Sequence, residues 1–240
     1  MLGESPESGD EVKRLRKIYT EYLREGRWKY DSLGRQQLCK ERSDAIETLI
    51  DEWFGRPLCE CRVLDVGCGY GSQLRWFNER GVPPENLFGV DLLSAHIESA
   101  RRRYPAFNLM QANAERLSFP NDSFDIIVAF TIFSSVFENE MAGNIASEML
   151  RVLKKSGAIL WYDLRYPSPT NRSVRAMTRR RISRLFPSTV IRLKSISLLP
   201  PLADSLGPTA AITYPLLAGI PFLRSHYLGL LTAAPGASDS

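Results

Sequence analysis

Residues 63–74 read VLDVGCGYGSQL, and this stretch decides the fold. Val63–Val66 suits a buried strand; Gly67, Gly69 and Gly71 then interrupt it, and a helical pattern follows. Glycine accepts left-handed backbone and close approach where a Cβ would collide, so the chain can turn sharply beside a ligand. The helix behind such a turn presents free N–H groups.

Working outward, short runs rich in Val, Ile and Phe alternate with amphipathic stretches from Arg62 onward. That alternation predicts a parallel sheet covered by helices. The expected strands are 62–66, 86–91, 107–111, 124–130, 158–163, 190–198 and 227–232. Ser94 is a candidate N-cap for a helix that Pro105 stops, and residues 139–153 carry Ile145, Met149, Val152 and Leu153 on one stripe. The fold class is therefore α/β, a doubly wound seven-stranded sheet in a three-layer α/β/α arrangement.

Residues 1–12 hold Gly, Ser, Pro and acids without apolar periodicity and predict a flexible tail, as do 235–240. Residues 13–56 predict a helical cap, with helices over 13–23 and 41–54. The domain proper is expected over 57–234. Residues 200–222 interrupt it with five prolines in an apolar setting, too broken to span a membrane, and read as an insertion over the sheet edge or the active site.

Charge narrows the ligand. The even spacing of Gly67, Gly69 and Gly71 departs from the dinucleotide pattern, whose third glycine follows the first by five residues. The strand also ends with Asp65, which would repel a pyrophosphate and suits a cation. Adenosylmethionine offers both an ammonium and a sulfonium. Asp91, in FGVDLL at the end of the next strand, can accept hydrogen bonds from ribose hydroxyls; its other reading is a cap for the following helix.

Together, Asp65–Gly71, Asp91, NAERLSFPNDSFDIIVAF (113–130) and LKKSGAILWYDL (153–164) resemble the successive motifs of class I S-adenosylmethionine-dependent methyltransferases. The resemblance covers roughly residues 62–164. It implies a Rossmann-like sheet whose last strand is antiparallel, with S-adenosyl-L-methionine as cofactor. Carried over by position, it implies cofactor contacts from Asp65, Gly67, Cys68, Gly69, Gly71, Asp91, Leu92, Asn113, Ala114, Phe130 and Thr131. Asn113 departs from the family's usual Asp, which removes a charge while an amide can still accept or donate. Phe130 reads equally as core packing.

No catalytic group is fixed. Asp163 and Tyr162 are weak candidates for a base or orienter, and a strand-end Asp also forms local turns. Tyr30, Phe133, Ser134, Arg165 and Tyr166 are the acceptor-side candidates. The aromatic surround favours O-methylation of a small molecule or saccharide. Residues 151–194 hold twelve Lys and Arg against the single acid Asp163, so an RNA methyltransferase using the basic segment 172–194 is the alternative. A third reading is a non-catalytic cofactor-binding or membrane-peripheral scaffold. With two histidines and no Cys-x-x-Cys among four cysteines, no metal site is expected and the thiols read as reduced. No transmembrane segment or signal is predicted, so a cytoplasmic protein is expected; the sequence leaves the oligomeric state open.

Overall fold

The computed structural model describes residues 6–25, 32–53, 57–168 and 171–233. Seven strands form one sheet: β1 (Val63–Val66), β2 (Leu87–Asp91), β3 (Asn108–Gln111), β4 (Phe124–Phe130), β5 (Leu153–Leu164), β6 (Thr189–Leu198) and β7 (Arg224–Ala233). Their order is β3-β2-β1-β4-β5-β7-β6, parallel from β3 through β5, with β7 antiparallel to both β5 and β6. All seven expected strands are present, and the last is the antiparallel one. The β5 strand starts earlier than expected, because Leu153 pairs with Phe124 before a register shift brings Ile126 opposite Ala158.

Strand alternation sorts the side chains onto two faces. Leu64, Val66, Ile127, Ala129, Ile159 and Trp161 pack against α1 (Pro6–Glu25), α5 (Asn139–Val152) and α6 (Arg179–Leu185). On the opposite face, Val63, Ile126, Val128, Leu160 and Tyr162 pack against α2 (Leu33–Trp53), α3 (Ser72–Asn78) and α4 (Ser94–Arg103). These are the three layers expected from the sequence.

The N-terminal boundary is corrected. α1 begins at Pro6, so residues 6–12 belong to a helix rather than a tail, and Val12 and Glu11 are both buried. Tertiary packing supplies the ordering that composition did not announce: Glu11 Oε1 accepts the Phe137 N–H at 2.6 Å, and its carboxylate pairs with Arg14. Ser94 is also not a cap. Leu93 holds that position, Ser94 is the first helical residue, and the carboxylate of Asp91 accepts the Leu93 N–H at 2.9 Å.

The apolar insertion folds as α7 (Pro200–Asp204) and α8 (Ala210–Ala218), with short 3-10 turns beside them. It lies beside β6, the edge strand, and builds a small core of its own from Leu38, Leu198, Ala203, Tyr214 and Ala218. Gly34 on α2 makes this contact possible, since a Cβ there would collide with the carbonyl of Ala203. Tyr214 Oη donates to Glu41 of α2 at 2.7 Å, and Arg35 pairs with Asp204 at 2.8 Å.

Candidate active site

In an open α/β sheet, ligands bind beyond the carboxyl ends of the strands where the strand order reverses. Here β1 has β2 on one side and β4 on the other, and the glycine turn lies at that junction. Gly67, Gly69 and Gly71 all adopt left-handed φ, at 71°, 51° and 79°. A Cβ at Gly67 would press to 3.1 Å from Ile132, and one at Gly71 would come equally close to the Tyr104 ring. Gly69 has open space around it, so its backbone is the part of the turn free to face a ligand.

Asp91 ties this turn to β2. Its Oδ2 accepts the Gly69 N–H at 2.9 Å, while Oδ1 accepts from Leu93 and lies 3.1 Å from His96 Nδ1. A carboxylate has about four acceptor positions, so these contacts leave room for a hydroxyl. Leu92, half-buried, follows directly, and its carbonyl accepts from Gln111 Nε2.

Asp65 is the more unusual acid. It is fully enclosed, its Oδ2 has no hydrogen-bond partner among the described residues, and burial, then the nearby Asp91, push its carboxyl well above the usual range. A buried carboxylate oxygen without a donor is costly unless a ligand completes it. A cationic or ammonium-bearing ligand supplies the missing donor and the opposite charge. The thiol of Cys68 is likewise buried and raised, by burial and then by Asp65 and Asp91, so it stays protonated.

Asn113 is held in a local turn, Nδ2 donating to Glu115 at 2.8 Å and Oδ1 accepting the Glu115 N–H at 3.1 Å. One amide hydrogen and one lone pair remain, and Ala114 beside it is half-buried. After β4, Thr131 is exposed and takes φ of 54°, a strained conformation for a β-branched residue. Its N–H donates to the Tyr162 carbonyl at 2.7 Å, which fixes the strain in place. Such strain concentrates at functional positions.

The acceptor-side candidates separate. Phe133 is withdrawn from the site: it is fully buried, stacked on Trp161 and edge-on to Phe186 in the core. Ser134 is enclosed as well, its N–H donating to Asp163 Oδ2 at 3.0 Å. Asp163 also accepts the Leu164 N–H at 2.7 Å, and burial raises its carboxyl to about 6 despite these bonds. These two bonds tie the loop after β4 to the end of β5. Arg165 and Tyr166 lie at the end of β5, with Arg165 donating to the Pro221 carbonyl of the insertion and stacked over Tyr166. Tyr30 lies outside the described residues.

Three further residues come to this end of the sheet. Tyr19 of α1 is half-buried, bonded to Ser135 Oγ at 2.8 Å, and its phenol is pushed up to about 12, mainly by desolvation and to a lesser degree by the charges of Asp91 and Asp163. Arg42 of α2 sits over the rings of Phe130 and Tyr162, at 5.8 and 5.2 Å from their centroids. His226 of β7 stacks on Tyr162 with centroids 4.5 Å apart and an interplanar angle of 4°. No local pattern marks Tyr19 or Arg42, which reach the site through helix packing. His226 could have been found from its place on the strand that pairs with β5.

Comparison with known proteins agrees with this geometry. The methyltransferase domain family matches residues 63–157. The chain is 33% identical over 105 residues to a phosphatidylethanolamine N-methyltransferase of Cereibacter sphaeroides, covering 41% of this chain and 48% of that protein. It is 32% identical over 106 residues to a phthiotriol/phenolphthiotriol dimycocerosates methyltransferase of Mycobacterium ulcerans, covering 43% and 38%. The matches thus span less than half the length of these curated relatives. Among solved structures, the 1,6-didemethyltoxoflavin-N1-methyltransferase of Burkholderia thailandensis, bound to S-adenosylhomocysteine, shares the fold with a TM-score of 0.63 at 16% identity, covering 98% of this chain and 92% of that one. The glycine turn, the two acids and these matches together support a class I S-adenosylmethionine-dependent methyltransferase domain over residues 63–157.

Proposed function

We propose that this chain transfers the methyl group of S-adenosylmethionine to an oxygen of a small-molecule or saccharide acceptor. The observation that carries the cofactor side is the Oδ2 of Asp65, buried and without a donor among the described residues. An ammonium group satisfies it, and the carboxylate's ionised form is favoured once that charge is near. Gly67, Cys68, Gly69 and Gly71 provide the backbone cradle. Asp91 and Leu92 receive the ribose, Asn113 and Ala114 flank the adenine, and Phe130 and Thr131 border the reacting end. When bound, the cofactor supplies an electrophilic methyl carbon on a sulfonium.

The remaining work of the chain is placement and exclusion of water. Asp163 holds the Phe133–Ser134 turn, and Thr131 anchors to the Tyr162 carbonyl, so the loop after β4 is fixed against the reacting end. α1 lies over this loop through Glu11, Arg14 and Tyr19. Relatives named for nitrogen and carbon chemistry include the phosphatidylethanolamine enzyme above and a geranyl diphosphate C-methyltransferase of Streptomyces coelicolor. The oxygen reading therefore rests on this chain's own aromatic acceptor side.

Three of the arginines behind the RNA reading are engaged within the fold, while Arg180 and Arg184 are exposed. Arg179 donates to the Leu193 carbonyl, Arg175 packs over Phe137, and Arg181 is half-buried toward Asp163. Among the described residues no helix is long and apolar enough to cross a membrane. Incubation with methyl-labelled S-adenosylmethionine and a panel of hydroxylated small molecules and saccharides tests the proposal. Label in a methyl ether supports it, whereas label only in amines, carbon positions or RNA refutes the oxygen assignment.

A further inference from the structure

The carboxyl ends of β4 and β5 and the amino end of the antiparallel β7 place Phe130, Tyr162 and His226 on one face of the sheet, the face that Asp65 shares through its register with Val128. The Phe130 and Tyr162 ring centroids lie 5.2 Å apart at a 45° tilt, and the His226 ring stacks on Tyr162, so the wall is aromatic. Arg42 lies above it as a half-buried cation. Among the described residues no carboxylate pairs with it. Its neighbour Glu41 is already committed, accepting from the Ser197 N–H at 3.0 Å and from Tyr214 Oη.

The hydrogen bonds also fix the proton on His226. Ser225 Oγ donates its one hydrogen to the Ser197 carbonyl at 3.0 Å and lies 2.7 Å from His226 Nδ1. The serine oxygen must therefore accept there, which makes Nδ1 the protonated nitrogen and leaves Nε2 with a lone pair. No hydrogen bond to Nε2 occurs among the described residues.

Resting on the methyltransferase reading above, we propose that Arg42 and His226 form the acceptor subsite and select a planar acceptor with an acidic hydroxyl, a phenol or an enol. The acceptor O–H donates to Nε2 of His226, and its oxygen, as charge develops, is stabilised by the Arg42 guanidinium. The proton goes to water as the hydroxyl ionises beside Arg42, and the oxygen anion then bonds to the methyl carbon. The bond from that carbon to sulfur breaks, and its electron pair stays on sulfur as a thioether. Burial, and after it Arg42 and Arg35, hold the imidazole down at about 3. So weak a base orients the hydroxyl without taking its proton, so the acceptor must be acidic enough to ionise beside Arg42, which an alkyl alcohol is not. This pair thus narrows the acceptor away from saccharide hydroxyls.

The test uses the full chain with S-adenosylhomocysteine and 4-nitrophenol, whose ionised form absorbs visibly, with 4-nitroanisole as the blocked control. We expect saturable binding of the phenol at millimolar concentration, with its ionisation moved to lower pH by about one unit, a tenfold preference for the anion. That shift disappears in Arg42→Gln and is partly kept in Arg42→Lys, with folding of both checked by circular dichroism. Nitrogen-15 NMR of the imidazole shows Nδ1 protonated and Nε2 bare. Equal binding of phenol and anisole, no phenol binding, an unchanged shift in Arg42→Gln, or a proton on Nε2 overturns the subsite. Failure to bind S-adenosylhomocysteine overturns the methyltransferase reading instead, and so is distinguishable.

Discussion

The N–H of Gly69 donates to Oδ2 of Asp91 at 2.9 Å, so the turn after β1 and the acid that ends β2 are one unit. Replacing Asp91 by Ala removes the acceptor for Gly69, Leu93 and His96 together with the proposed ribose contact. We expect adenosylmethionine binding in Asp91→Ala to weaken by about 1–3 kcal/mol, since charge-assisted hydrogen bonds are lost. Calorimetric titration measures this, and unchanged affinity contradicts the assignment.

Asp65 carries an opposite balance of stability and binding. Its carboxyl is raised by burial and by Asp91, so in the ligand-free protein the charge costs stability. Asp65→Asn is expected to leave the free protein at least as stable, while adenosylmethionine binds about tenfold more weakly, roughly 1.4 kcal/mol. Thermal melts with and without ligand report both. A variant that is less stable alone yet equally stabilised by ligand would contradict this role.

The insertion is clamped to α2 where Gly34 meets the Ala203 carbonyl. A methyl group there forces backbone apart, and overpacking of this kind costs about 1–3 kcal/mol or more. Gly34→Ala should lower the denaturation midpoint accordingly, as urea melts can show. An unaltered midpoint would mean that the insertion is not fastened at this point.

Acid stability should report on His226. Its folded value is held near 3, mainly by burial, against 6.5 as a free side chain. The unfolded chain therefore takes up a proton that the folded chain refuses, and the stability present above about 6.5 is lost as pH falls toward about 3. Asp163 works the other way. Raised to about 6 from 3.8, it contributes stability at low pH that is lost as pH rises through 6. In His226→Gln the melting temperature should fall less between about pH 7 and about pH 5 than in the unmodified protein, leaving the Asp163 contribution in place. Parallel curves for the two proteins would contradict the buried neutral imidazole.

Much of this was legible in the sequence because strands buried on both faces must be continuous apolar runs between turns. Phe124–Phe130 is buried along its length save for the half-buried Phe130, and reads as such without any structure. The glycine turn was equally plain, since three left-handed φ values demand residues without a Cβ. Helix starts were less so: α1 extends to Pro6 because Glu11 is bound by the loop after β4, 126 residues away in the chain. Phe133 looked like an acceptor contact by its place after β4, but side-chain direction turns it into the core. Arg42 and His226 were hidden for the complementary reason. One arrives from a helix outside the matched motifs, and the tautomer of the other depends on a serine that bonds a carbonyl of the neighbouring strand.

The most direct test of the central claim is calorimetric titration of the protein with S-adenosylmethionine and, separately, with the reduced and oxidised nicotinamide dinucleotides. Micromolar binding of S-adenosylmethionine and no binding of either dinucleotide are expected. Binding of a dinucleotide in its place would contradict the reading of Asp65 and of the evenly spaced glycines.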